Sequence, residues 1–132
     1  MNDYTSPMGR AVFLAILMGV IMKLFLFDII LADGNSMSPT IKSGTILIIN
    51  RLQYGFRFPG QQNYLVRWAL PKPGEIVVFR TPGGELAVKR CEELEDSAAF
   101  IARGDNELYS YDSRSYGKVP IENIIGRVLG IK

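Results

Sequence analysis

The longest apolar stretch lies near the amino terminus, where residues 11–32 read AVFLAILMGVIMKLFLFDIILA and only Lys23 and Asp28 carry charge. A helix needs about 20 mostly apolar residues to cross a bilayer. Residues 11–27 approach that length once Gly9 is counted and the Lys23 stem extends toward a headgroup layer. A soluble core helix would carry a polar stripe, and this stretch has none. A cleaved secretory leader would end in a small-x-small pattern, whereas here Ile30 and Ala32 precede Asp33. The pattern predicts an uncleaved single-pass anchor, short or tilted. Arg10 and the terminal amine precede it, partly offset by Asp3, which favours an amino terminus in the cytoplasm and the remainder outside.

Past residue 32 the apolar positions gather into short, β-branched runs at 45–49, 75–79, 86–89, 98–101 and 124–131. Such residues suit a pleated, half-buried surface. Ser43-Gly44, Pro71-Lys72-Pro73-Gly74 and Thr81-Pro82-Gly83-Gly84 separate the runs at places where the chain must reverse. The expected fold is therefore mostly β, with residues 1–28 a tail and single transmembrane anchor and residues 29–132 one compact β-rich domain. Residues 53–68 are aromatic without a clear period: Tyr54, Phe56, Phe58, Tyr64 and Trp68. These rings can fill the core beneath a loop, or dip into a bilayer interface beside Arg57 and Arg67.

Composition narrows the function. A chain of 132 residues supports one ordinary domain with appendages, and 48% hydrophobic against 21% charged residues marks a folded one. Fifteen basic and 13 acidic residues leave a net charge of +2 with no basic run, so nucleic acid is not an expected partner. The single cysteine, Cys91, permits no intrachain disulfide and reads as a buried small hydrophobe. Histidine is absent, which removes Ser-His and Cys-His mechanisms and most zinc sites. No metal and no cofactor is expected.

A nucleophile in such a chain needs a lysine or a carboxylate as its base. Gly34-Asn35-Ser36-Met37-Ser38-Pro39-Thr40 follows the apolar stretch directly, and its glycine and proline favour a tight turn that lifts Ser36 clear and frees backbone N–H groups for an oxyanion. Among the lysines, Lys89 stands out. Strand alternation places Ala87, Lys89 and Cys91 on one otherwise apolar face, where desolvation would lower the amine's pKa from about 10.4 and let it accept a proton. Lys42, Lys72 and Lys118 lie beside turn signals, and Lys23 lies in the anchor.

Three blocks in order, GNSMSPT, then PKPGEIVVFRTP followed by AVKR, then GDNELYSYDSRSYG, resemble the successive boxes of the type I signal peptidase family. The resemblance covers most of residues 20–130. It implies a compact antiparallel β catalytic domain in which Ser36 is the nucleophile, its own N–H an oxyanion donor, and Lys89 the base. It implies further that Ser110 positions the lysine amine, that Asp112 and Arg114 pair to brace the site, and that Asp105 does the same with Arg90. Ile30, Ala32, Ala87 and Val88 would line the substrate pocket. The implied substrate is the signal peptide of a secreted preprotein, small at the first and third positions before the cut, added as an extended strand. Membrane lipid and the secretion translocon are the implied partners. The implied location is a bacterial-type cytoplasmic membrane, with the catalytic domain on the outer side.

Two departures matter. Gly34 stands where some members carry a serine that adds an oxyanion donor, and Glu107 replaces an arginine common after GDN. Only residues 90–103 separate Lys89 from Gly104, too few for the cap subdomain of larger members, so a minimal core is expected. Alternatives are a peptidase dedicated to a pilin or conjugation protein, and a catalytically silent, membrane-bound peptide-binding homologue.

Overall fold

The computed structural model describes residues 6–131, so the terminal amine and Asp3 lie outside the described residues. Helix α1 spans Pro7–Ile21: the Ser6 side chain accepts a hydrogen bond from the Gly9 N–H, and proline occupies the first turn, where its missing N–H costs nothing. The helix continues through a wider π turn, Met22–Leu26, and no residue of either segment is buried. Pro7–Leu26 is 20 residues of mean hydropathy 2.0. At 1.5 Å per residue that is about 30 Å, the thickness of a bilayer's hydrocarbon core.

The apolar stretch does not end with the helix. At Phe27 the backbone becomes extended and β1, Phe27–Leu31, pairs with β2, Ile46–Asn50. The sequence reading missed this strand, for a physical reason. Phe27, Ile29 and Leu31 face outward and are exposed yet apolar, while the inward face carries Asp28 beside Ile30, so the alternation is inverted and does not mark a half-buried strand.

The remaining strands are β3 (Gly55–Phe56), β4 (Val66–Arg67), β5 (Ile76–Arg80), β6 (Leu86–Glu95), β7 (Ala99–Arg103), β8 (Val119–Pro120) and β9 (Ile124–Ile131). β3 and β4 form a separate hairpin. The others join β1 and β2 in one seven-stranded sheet, ordered β1-β2-β9-β5-β6-β7-β8, every neighbouring pair antiparallel. The expectation of a mostly β fold with an N-terminal apolar helix holds.

β5 sits at the centre of the sheet and is buried on both faces, which explains its unbroken apolar run. Val77 and Phe79 face one cluster, with Tyr54, Cys91, Phe100 and Ile124, while Val78 faces the other, with Ala32, Met37, Ile41, Leu47 and Ile49. Burial pushes the Cys91 thiol up to about 11, so it packs as a hydrophobe. β6 and β7 form a hairpin turning at Asp96, whose carboxylate accepts the Ala98 N–H. That hairpin uses the whole interval from Arg90 to Arg103, leaving no residues for a cap subdomain.

The aromatic segment divides. Tyr54 is buried and donates to Glu75 Oε2 at 2.7 Å, and Tyr64 donates to the Ile124 carbonyl at 2.8 Å. Phe58, Leu65, Val66 and Trp68 instead stand exposed on the β3–β4 hairpin.

Candidate active site

After β1 the chain loops through residues 32–45. The base of the loop is closed by Ala32 N–H on the Thr45 carbonyl and Gly44 N–H on the Ala32 carbonyl, both 2.8 Å. Inside it, the Ser38 N–H donates to the Asn35 carbonyl and the Ile41 N–H to the Met37 carbonyl. Gly34 opens the turn at φ +83°, a left-handed conformation that strains any residue with a β-carbon. Met37 and Ile41 bury into the second cluster and hold the loop from below. Ser36 is left half-buried at the surface, and among the described residues no acceptor engages its N–H.

Lys89 reaches the serine from β6, where it pairs across the ladder with Val77. It is 5% exposed, and its Nζ and Ser36 Oγ are hydrogen-bonded at 2.6 Å. Its pKa is lowered, first by burial, against which the negative charge of Asp112 acts. The amine is thus held away from water and close to the hydroxyl it could deprotonate.

The segment after β7 locks the two together. The Asn106 N–H donates to the Ser36 carbonyl at 2.9 Å, and Asn106 Nδ2 to the Asn35 carbonyl at 3.0 Å. Asp105 accepts from Arg90 Nε and Nη2, at 2.9 and 2.7 Å, and from Thr40 Oγ1 at 2.6 Å. One carboxylate therefore ties the serine loop to the lysine strand, and the Arg90 fork holds it well below the usual carboxylate range. Gly104 makes the approach possible: a β-carbon there would meet Ser110 Oγ and lie 2.6 Å from the Ser36 carbonyl oxygen.

Asp112 is fully buried and caps the short helix α2, Ser113–Tyr116. Burial alone would raise its pKa, but Arg114 Nε and Nη2, the Gly104 N–H and Ser110 Oγ all donate to it and hold it strongly depressed. Ser110 differs from the sequence expectation. Its hydroxyl donates to Asp112 Oδ2 at 2.7 Å, and the hydrogen bond of Lys89 is to Ser36. A hydroxyl has one proton, and a buried carboxylate is the stronger acceptor.

A cleft of about 450 Å³ opens over the pair. Ile30, Ala32, Ala87 and Val88 line it, joined by Met37, Ile41, Thr81, Tyr109 and Tyr111, which the sequence did not single out. β1 pairs on one side only, and β7 pairs with β6 from Arg90 onward, so Leu86–Lys89 also has an open edge. Both open edges border the cleft and can hydrogen-bond an extended peptide. Gly104 and Asn106 in the GDN block, and Thr40 in the serine block, carry no role legible from the sequence. Their signal was the block itself, since a glycine beside two short polar residues marks a close backbone approach.

An antiparallel β domain that buries a lysine against a serine hydroxyl, beneath a cleft with open strand edges, has the form of a serine peptidase. The family model for signal peptidase, peptidase S26, matches residues 6–95, and the chain belongs to that family. Ser36 and Lys89 fall inside the matched span; Asp105, Ser110 and Asp112 follow it. The chain is 26% identical to signal peptidase I of Bacillus caldolyticus, over 88% of this chain and 85% of that one. It is 27% identical to signal peptidase I T of Bacillus subtilis, over 89% and 80% respectively. Similarity to signal peptidase I of Pseudomonas aeruginosa is 25% over 92% of this chain but only 42% of that longer protein.

Proposed function

We propose that this chain is a membrane-anchored signal peptidase that releases signal peptides from secreted preproteins with a Ser36/Lys89 dyad. The observation that carries the reading is the 2.6 Å contact between Lys89 Nζ and Ser36 Oγ, made by a lysine that is buried and lowered in pKa. Ser36 Oγ attacks the scissile carbonyl while neutral Lys89 takes its proton. The oxyanion develops toward the Ser36 N–H. Collapse breaks the C–N bond, and the Lys89 ammonium returns the proton to the departing amine. Water then hydrolyses the acyl-enzyme, with Lys89 again the base.

Ser110, Asp112 and Arg114 act at one remove: the carboxylate opposes the desolvation of Lys89, and the other two hold it in place. Arg90 and Asp105 fix the loop. Extended substrate lies between the open edges of β1 and β6, its small side chains against Ile30, Ala32, Ala87 and Val88. The anchor is residues 7–26, crossing a bacterial-type cytoplasmic membrane once with the β domain on the outer side, near the secretion translocon. Exposed Phe27, Ile29, Leu31 and Ile46 continue the apolar surface from the helix onto the domain, which favours lipid as its neighbour.

The test is cleavage of a reporter preprotein in detergent. Wild type is expected to cut after a small residue, and Ser36→Ala, folded by circular dichroism, to cut nothing. Normal cleavage by Ser36→Ala would place the nucleophile elsewhere, and products without a removed leader would refute the substrate class.

A further inference from the structure

Positive charge also collects where the helix meets the β domain. A second cavity, of about 380 Å³, is lined by Arg51, Arg57, Arg80, Gln62, Asn123 and Asp28. Three guanidiniums against one carboxylate leave its lining at +2. Its size falls in the ~300–1,000 Å³ range of ligand sites.

Among the described residues no further carboxylate neutralises that charge. Arg57 donates to the carbonyls of Gln62, Glu122 and Ile124 and lies 4.0 Å over the Tyr64 ring, but it meets no carboxylate among the described residues. Its Nε is buried without a partner. Among the described residues the Arg80 side chain donates only to the Gly84 carbonyl, at 3.2 Å. The Arg51–Asp28 contact is long, at 3.6 Å. Gln62 bonds Asn123, which bonds the Arg80 carbonyl, so the wall is fixed.

The cavity also has a defined height. The Arg51 N–H donates to the carbonyl of Leu26, the last residue of the apolar helix, at 2.9 Å. Phe56, next to Arg57, stacks on Phe25 with centroids 5.7 Å apart and planes within 5°. Two of the three arginines are thereby tied to the final turn of the anchor, where lipid gives way to water. The abundant anion at that level is a lipid phosphate, and a guanidinium fork matches its oxygens.

We propose that this arginine cavity binds the phosphate of an anionic phospholipid and seats the β domain on the bilayer beside its anchor. The inference rests on the anchor reading above. Leu86 lines both this cavity and the cleft, so a bound headgroup fixes the mouth of the cleft at the membrane surface.

The test uses the full chain in phosphatidylcholine vesicles carrying spin-labelled phosphatidylglycerol or spin-labelled phosphatidylcholine, and reads the fraction of label immobilised by protein. Wild type is expected to prefer phosphatidylglycerol about 25-fold or more, with about fivefold lost for each arginine removed in Arg51→Gln and Arg80→Gln. Asp28→Asn, which removes the opposing charge, should raise the preference. Equal immobilisation of the two labels by wild type overturns the proposal, as does an unchanged preference in an Arg51→Gln/Arg80→Gln protein that melts like wild type. Should that double variant melt early, a lack of any gain in Asp28→Asn overturns it instead. Displacement of the lipid by low-millimolar inorganic phosphate at fixed ionic strength would make soluble phosphate the occupant and sink the lipid assignment. A chain stripped from vesicles by an alkaline wash would remove the anchor and this inference with it. A chain that stays bound without lipid preference removes the inference alone.

Discussion

At Lys89 the burial that suits the amine for proton transfer works against the fold. Its pKa in the folded chain lies below the unfolded value of about 10.4, so the folded state binds fewer protons than the unfolded chain between those values. Stability therefore falls as pH drops from about 10.4 to the folded pKa, and is level below it. Lys89→Met keeps the length without the charge. It is expected to lose activity yet be more stable at neutral pH, by about 1–2 kcal/mol, with the margin shrinking toward pH ~10.4. Thermal melts of both proteins across pH check this. Gly104 is constrained in the opposite sense, because it has no room for a side chain. Gly104→Ala should destabilise by about 3 kcal/mol and, by moving the Ser36 carbonyl, slow cleavage about 100-fold. Denaturant titration and initial rates measure the two effects.

Between elements, the decisive joint is the one Asp105 makes between the serine loop and β6. Its pair with Arg90 is partly exposed, so it adds little to global stability; in the proposed mechanism its part is to hold the loop-borne Ser36 against the strand-borne Lys89. Asp105→Asn is expected to leave the melting temperature within a few degrees of wild type while slowing turnover about 10- to 100-fold; an unaffected rate would show that the loop holds its position unaided. How much of this was legible in sequence follows from the range of each interaction. Lys89 could be singled out because strand period and hydropathy are local, and the Arg90–Asp105 pair came from the family resemblance. Thr40 could not be found, because its bond to Asp105 spans 65 positions of chain. β1 was hidden because its exposed face is the apolar one while its inward face carries Asp28 beside Ile30, and β3, β4 and β8 because two-residue strands leave no period. The Ser110 hydroxyl donates to Asp112, a partner the sequence could not name, since only the fold reveals which acceptor lies nearer.

For the molecule as a whole, the helix and the open side of the cleft are joined by a single strand: β1 leaves the last helical turn and becomes one wall of the site. No flexible linker intervenes, so the cleft is held at a fixed height above the end of the helix. The β3–β4 hairpin, stacked on Phe25 through Phe56, presents Phe58, Leu65, Val66 and Trp68 at the same end. Trp68 is the only tryptophan, which makes fluorescence a direct gauge of its depth. In vesicles its emission should shift to the blue and be quenched by lipids brominated near the headgroup more than by those brominated near the chain end.

The dyad itself is tested most directly by the initial rate of preprotein cleavage by Lys89→Arg against wild type. Arginine keeps the positive charge and most of the bulk but cannot become a neutral base at any accessible pH. A fall of about 10⁴-fold or more, with the fold intact, is the expected result. Cleavage within a few-fold of wild type would contradict Lys89 as the base that activates Ser36.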